Sequence, residues 1–321
     1  MATSMTTKNQ ARDRARRRTP RRAVLAGLAL ALSAVLGAGM TSCSTAPKAP
    51  PGIYDARNEA ARLIQLGAKA LREASARSAA GFYAEAYRIY TAVDDAEGRV
   101  RALDGLGRLA VPDAAETKEL LWERAGRIAA ESGNVQIIAV ASLLSAELML
   151  QQVAPQDGAE GAPKEGAQEA LRLADAAAVA FAKRTADKAR ALRIAASAAK
   201  ALGDYPGALR RLEEAAGIDK KARAFIEYAS DRYIAASVHS KSGDYASAEA
   251  ALRDALDSDR RAEHAAGIGG DYLALAIVAE KAGMKEEALV FYMRAAETYS
   301  AARMETEAAK ADTRREALLT R

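Results

Sequence analysis

Chemistry in a polypeptide starts from side chains that can act as nucleophile, base or metal ligand. The 321 residues hold two histidines, His239 and His264, and a single cysteine, Cys43. No Cys or second His stands at metal-ligand spacing, so no metal site is expected. His239 falls at an inter-helix packing position of the repeat set out below. That placement favours a buried or half-buried structural role over a ligand role. Gly267-Ile268-Gly269-Gly270-Asp271 is not a Walker loop, because it lacks the Lys-Ser/Thr pair and a preceding strand. It reads instead as a break in a long helix. Acidic pairs such as Glu213-Glu214 and Glu286-Glu287 read as solvated helix surface. No catalytic constellation emerges, and neither an enzyme nor a cofactor is expected.

The chemistry open to Cys43 is acylation. An Arg-rich stretch ends at Arg22, and the next eighteen residues, Ala23 to Met40, are apolar or small. Together they form the basic and hydrophobic regions of a secretory signal. Met40-Thr41-Ser42-Cys43 follows and resembles a lipobox, with Met40 where leucine is usual. The expectation is a signal peptide over 1–42 and a lipidated Cys43 at the mature N-terminus. The alternative is an uncleaved anchor, since eighteen apolar residues can span a bilayer. Both readings export the rest of the chain. Arg21-Arg22-Ala23-Val24-Leu25 also resembles a twin-arginine export motif, although plain basic charge ahead of the apolar run is the favoured reading. Residues 44–52 (STAPKAPPG) hold three prolines and read, within a segment 43–53, as a semi-rigid tether.

The basic pI near 9.2 belongs largely to the leader. Removing residues 1–42, with eight basic groups and one acid, takes the totals from 47 basic and 42 acidic to 39 and 41. The remainder is slightly acidic and offers no electrostatic footprint for nucleic acid. A single cysteine excludes an intrachain disulfide.

What positions these residues is a repeat. Gly203-Asp204-Tyr205 recurs 40 residues later as Gly243-Asp244-Tyr245, and after 40 more as Gly283-Met284-Lys285. Leu63, Leu66-Gly67 and Ala70 recur as Leu103, Leu106-Gly107 and Ala110 at the same separation. Around each turn, large and small residues fall at spacings of three and four, which puts them on one helix face. Leu192, Ala195-Ala196 and Ala199 lead to Gly203, then Ala208, Leu212 and Ala215. Small residues let helix backbones close up, and large ones fill the neighbouring groove. A lone hairpin cannot bury its apolar face, so the units must stack. A third unit is degenerate, its first helix lying near Gln136 to Gln152. The stretch 153–166 (VAPQDGAEGAPKEG) exceeds one period and reads as a Gly/Pro-rich insert. Residues 303–321 are charged and helical and read as a capping helix.

The GDYxxA turn and the small-large-small spacing resemble the tetratricopeptide repeat family over roughly residues 55–300. The repeat here is 40 residues against the usual ~34, and the usual proline between units is absent. The resemblance implies an all-α, right-handed superhelical solenoid of about six hairpins over 54–302. It also implies a partner-binding groove lined by positions two, five, nine and twelve of each first helix. Carried onto this chain, these are Arg190, Arg193, Ser197 and Lys200, then Ser230, Tyr233, Ser237 and Ser240, with Arg101, Asp104 and Arg108 at corresponding places. A basic, hydroxyl-bearing groove favours a partner presenting an acidic segment or a free C-terminus. The implied function is a lipid-anchored scaffold for protein or peptide binding, facing the periplasm or cell exterior and on the outer membrane in a Gram-negative cell. The alternative is a lipoprotein partner of a TRAP-type solute transporter with a small-ligand cavity.

Overall fold

The computed structural model describes residues 53–73, 75–109, 116–153, 164–183 and 185–320. Among them the regular structure is thirteen α-helices: α1 Ile53–Arg72, α2 Ala76–Ala92, α3 Ala96–Gly107, α4 Lys118–Ser132, α5 Val135–Val153, α6 Lys164–Ala180, α7 Thr185–Leu202, α8 Tyr205–Ala222, α9 Phe225–Lys241, α10 Tyr245–Arg261, α11 Ala265–Lys281, α12 Lys285–Ala301 and α13 Glu305–Leu319. Helices α1 to α12 pair as six hairpins, each packing on the next, and α13 packs on α12. The architecture is the expected all-α repeat solenoid. Cys43, the leader and tether residues 44–52 lie outside the described residues, as does Ala110 of the second unit.

Two kinds of turn alternate, and both follow from local chemistry. Within the last three hairpins the first helix ends at Gly203, Gly243 or Gly283, with φ of 84°, 84° and 79°. Glycine takes that left-handed conformation without a Cβ clash. Asp204 and Asp244 then cap the second helix, accepting from the backbone N–H of Gly207 and Ser247 at 2.9 and 3.0 Å. Between hairpins the left-handed residue is not glycine. Arg223, Glu263 and Arg303, again 40 apart, have φ of 55°, 53° and 59°. These turns close with a backbone bond from residue 224, 264 or 304 to the carbonyl of residue 219, 259 or 299, each 2.9 Å. They reverse the chain between hairpins with neither glycine nor proline at the left-handed position.

The core is alanine at the crossings with leucine and aromatic wedges between them. Leu103, Leu143, Leu144, Phe181, Leu212, Leu252, Leu275 and Tyr292 are buried almost completely. Helix α5 is long and apolar enough by composition to cross a membrane. Here it runs through the largest core cluster, with Leu143, Leu144 and Ala146 buried against α4, α6 and α7.

Two boundaries differ from the sequence reading. The insert is shorter than 153–166, because α5 continues to Val153 and α6 already starts at Lys164. Glu165 in the first turn suits the positive end of that helix. Residues 154–163 lie outside the described residues. Gly267 to Asp271 does not break a helix: all five residues lie inside α11. A Cβ on Gly269 would stand 2.6 Å from the Tyr299 ring, and one on Gly267 would stand 1.9 Å from a carboxylate oxygen of Asp259. These glycines serve close approach, and the chain reverses just before them, at Glu263.

Candidate functional site

The groove positions inferred from the repeat do converge, and they form two zones of different character. In the N-terminal zone, α3, α5 and α7 are tied by arginine–carboxylate pairs. Arg101 donates to Asp187 at 2.8 Å and to Glu97 at 2.9 Å. Arg190 reaches Asp104 at 2.7 Å and Glu147 at 3.0 Å. Arg108 reaches the same two acids, each at 2.7 Å. Burial raises the Asp104 carboxyl, and Arg190 with Arg108 more than offsets this, holding it below the ordinary carboxylate range. These guanidinium groups are already matched, so they cross-link successive first helices.

Arg193 needs a correction. It is not a solvated groove cation. Its side chain is 16% exposed and lies between Asp219 of α8 and Asp231 of α9, which are 3% and 0% exposed. Nε donates to Asp231 and Nη2 to Asp219, both at 2.6 Å, and Nη2 also meets the Glu227 carbonyl at 3.2 Å. Burial nevertheless raises both acids, Asp231 to about 7. The reason is positional: α7 packs flush on α8, so a side chain one residue beyond Leu192 turns toward the α8–α9 junction. A charge reversal at Arg193 therefore disrupts the core and cannot report on binding.

The C-terminal zone keeps uncompensated positive charge. Lys200, Lys241 and Lys281 stand in the last turns of α7, α9 and α11. Lys200 Nζ donates to Ser237 at 3.2 Å, and Lys281 Nζ donates to Ser240 at 3.3 Å. Among the described residues, no carboxylate lies within ion-pair distance of the three ammonium groups. Burial, and then the charge of Lys241, push the Lys200 ammonium below its ordinary value. A cavity of about 200 Å³ opens here, lined by Tyr233, Ser237, Ser240, Lys241 and Lys281 over an apolar floor that includes Leu252 and Ile277. Of the other groove positions, Ser197 bonds the carbonyl of Arg193 and Ser230 that of Ile226, each within its own helix. Lys241 and Lys281 were missed from sequence. They sit one residue beyond position twelve, and only the packing of α9 beside α11 brings them to one cavity.

The histidines take structural places. His239 is half-buried with Nδ1 3.6 Å from Asp244. His264 Nδ1 lies 3.0 Å from Asp259. Among the described residues no group of three or more His, Cys, Asp or Glu could hold a metal ion.

No family model matches this chain, and no curated protein matches it. Solved structures do. The chain is similar to a Rap protein complexed with competence and sporulation factor, with a TM-score of 0.56 and 14% identity over 79% of this chain and 69% of that one. It also matches BtubC of P. vanneervenii, with a TM-score of 0.46 and 14% identity over 78% and 92% of the two chains. A third match is a kinesin light chain of Podosopora anserina with TPR-like repeats, with a TM-score of 0.39 and 12% identity over 77% and 97%. The likeness to the Rap protein is one of fold, an all-helical repeat array.

Proposed function

We propose that this protein is a lipid-anchored scaffold that holds a peptide or protein segment against α7, α9 and α11. The observation that carries the reading is a partly apolar cavity lined by Lys241 and Lys281, with Lys200 bonded to its Ser237, none of the three lysines having an acidic partner among the described residues. Elsewhere in the same groove the guanidinium groups are matched by internal acids. Neighbouring like charges, with Lys200 among them partly desolvated, are relieved by an anion. The hydroxyls of Ser237, Ser240 and Tyr233 supply further hydrogen bonds at the same place. A carboxylate-ending segment suits this chemistry, with its last apolar side chains on Leu252 and Ile277. The Rap protein is complexed with another factor in a similar fold, which supports a groove that takes a partner. Neither a nucleic-acid partner nor a cofactor enters this reading.

The test uses peptide arrays carrying the same sequences with free and amidated C-termini. Wild type should prefer the free acids. Lys241→Glu with Lys281→Glu should weaken capture by tenfold or more, and rising salt should act in the same direction. Both lysines are exposed, so the thermal midpoint should stay nearly unchanged. Capture indifferent to both the reversals and salt would remove this zone as the binding site.

The anchor is proposed from the sequence. A basic leader, an apolar run and the sole cysteine at its end support lipidation of Cys43 and export to a membrane face outside the cytoplasm. Labelled fatty acid should enter the wild type and fail to enter Cys43→Ala. Label in the Ala variant, or a mature N-terminus that keeps the Arg cluster, would overturn the anchor.

A further inference from the structure

The buried arrangement around Arg193 recurs 40 residues later with its cation missing. Asp219 becomes Asp259 on α10, and Asp231 becomes Asp271 on α11. Arg193, which joins the first pair, becomes Tyr233. Asp259 and Asp271 are 5% and 1% exposed, so this second pair of acids is buried as deeply as the first. One Asp271 oxygen, Oδ2, is buried with no hydrogen-bond partner. His264 Nδ1 lies 3.0 Å from Oδ1 of Asp259, and Asp271 is itself hydrogen-bonded to the Asp259 carboxyl.

The place where a guanidinium would sit is a cavity. It measures about 290 Å³, and Tyr233, Asp259, His264, Gly267, Gly270 and Asp271 are among its lining residues. At the wall Gly267 and Gly270 stand where the preceding unit has Glu227 and Ser230, and the Asp259 carboxylate lies where a Gly267 Cβ would be. Tyr233 lines this cavity and the lysine-bearing one, which makes the two neighbours in one groove. The acceptors that surround Arg193 are a carboxylate oxygen from each aspartate and the Glu227 carbonyl. The same three exist here as Asp271, Asp259 and the Gly267 carbonyl.

From this we infer that the Asp259–Asp271 cavity is a binding subsite for a guanidinium group, supplied by an arginine side chain of the bound segment. An unpaired buried carboxylate carries a desolvation cost that a fitted cation removes. In the preceding unit the planar fork of Arg193 meets the equivalent three acceptors, which favours arginine over lysine here. Burial, followed by the neighbouring Asp259, raises the Asp271 carboxyl to about 8.

The inference rests on the peptide-binding reading, and its test is separable from it. N-acetyl-arginine amide, N-acetyl-lysine amide, methylguanidinium and a short arginine-containing peptide are titrated calorimetrically into the full chain. The arginine amide should bind saturably, at least tenfold tighter than the lysine amide. The peptide should bind tighter than methylguanidinium if the source is a partner chain rather than a small solute. Asp271→Asn should lower arginine binding by tenfold or more. Tyr233→Arg should do the same by supplying an internal guanidinium, and should raise the thermal midpoint, a readout that does not depend on the ligand. Absence of saturable arginine binding overturns the subsite, as does equal lysine binding or indifference to both variants. Arginine binding without capture of any carboxylate-ending peptide would sink the proposed groove function and leave this subsite standing. Peptide capture indifferent to Asp271→Asn and Tyr233→Arg would do the reverse.

Discussion

Arg193→Met should cost about 3–5 kcal/mol of folding stability at pH 8, the usual consequence of removing one member of a buried ion pair. Methionine fills much of the volume but leaves Asp219 and Asp231 facing each other without a counter-charge. The loss depends on pH in a fixed direction. Asp231 in the folded chain titrates near 7, above the ordinary value near 3.8, because of burial. A raised carboxyl binds its proton more tightly in the folded state than in the unfolded one. Its contribution is therefore full at low pH and declines as pH rises from about 4 toward about 7. Without Arg193 both acids move further up. The gap between variant and wild type should then widen from pH 5 to pH 8. Urea denaturation at the two pH values measures it. A gap below about 1 kcal/mol at both, or one that narrows with pH, would show that the arginine does not hold this junction.

Gly107→Leu should be the second large effect, at or above the upper end of the ~1–3 kcal/mol typical of overpacking. A Cβ at Gly107 would stand 2.1 Å from Nε1 of Trp122 and 2.6 Å from its Cδ1. Trp122 is 3% exposed, and the side chains of Arg108 and Lys118 lie over its ring at 5.7 and 5.4 Å. The indole cannot retreat without breaking those contacts. Even Gly107→Ala should lower the midpoint in urea. Gly126→Ala is the control, since a Cβ there meets nothing within 4 Å. It should be neutral or slightly stabilising, because alanine is the better helix former. Equal behaviour of the two alanine variants would mean that α3 and α4 do not cross as described.

Much of this protein is determined by local pattern and is legible in the sequence. Helix type, the 40-residue period, the glycine turns and the crossing alanines follow from spacings of three and four and from the left-handed turn residue. These are short-range rules that act within one or two turns of chain. Gly107 as a crossing position follows from the same rules. The turns between hairpins escaped that reading. Arg223, Glu263 and Arg303 adopt a conformation usually given to glycine, and their side chains carry no local mark of it. Gly267 to Asp271 misled for the opposite reason. Glycine in sequence signals a turn, whereas these glycines answer to Tyr299 and Asp259 from neighbouring helices.

The groove divides along the same line. The repeat frame picked out the residues that line the first helices, since position on a helix is periodic. It could not say which cations would be matched, because an ion pair is decided by residues far apart in the chain. Arg101 meets Asp187 and Arg190 meets Asp104, each pair 86 residues apart. Only the stacking of α3, α5 and α7 brings those charges within 3 Å. The repeat puts Tyr233 where Arg193 stands one unit earlier, and only the packing of α10 and α11 buries Asp259 and Asp271 together without that arginine. Sequence determined where side chains could stand; tertiary packing decided which of them are satisfied within the fold and which still face outward for a partner.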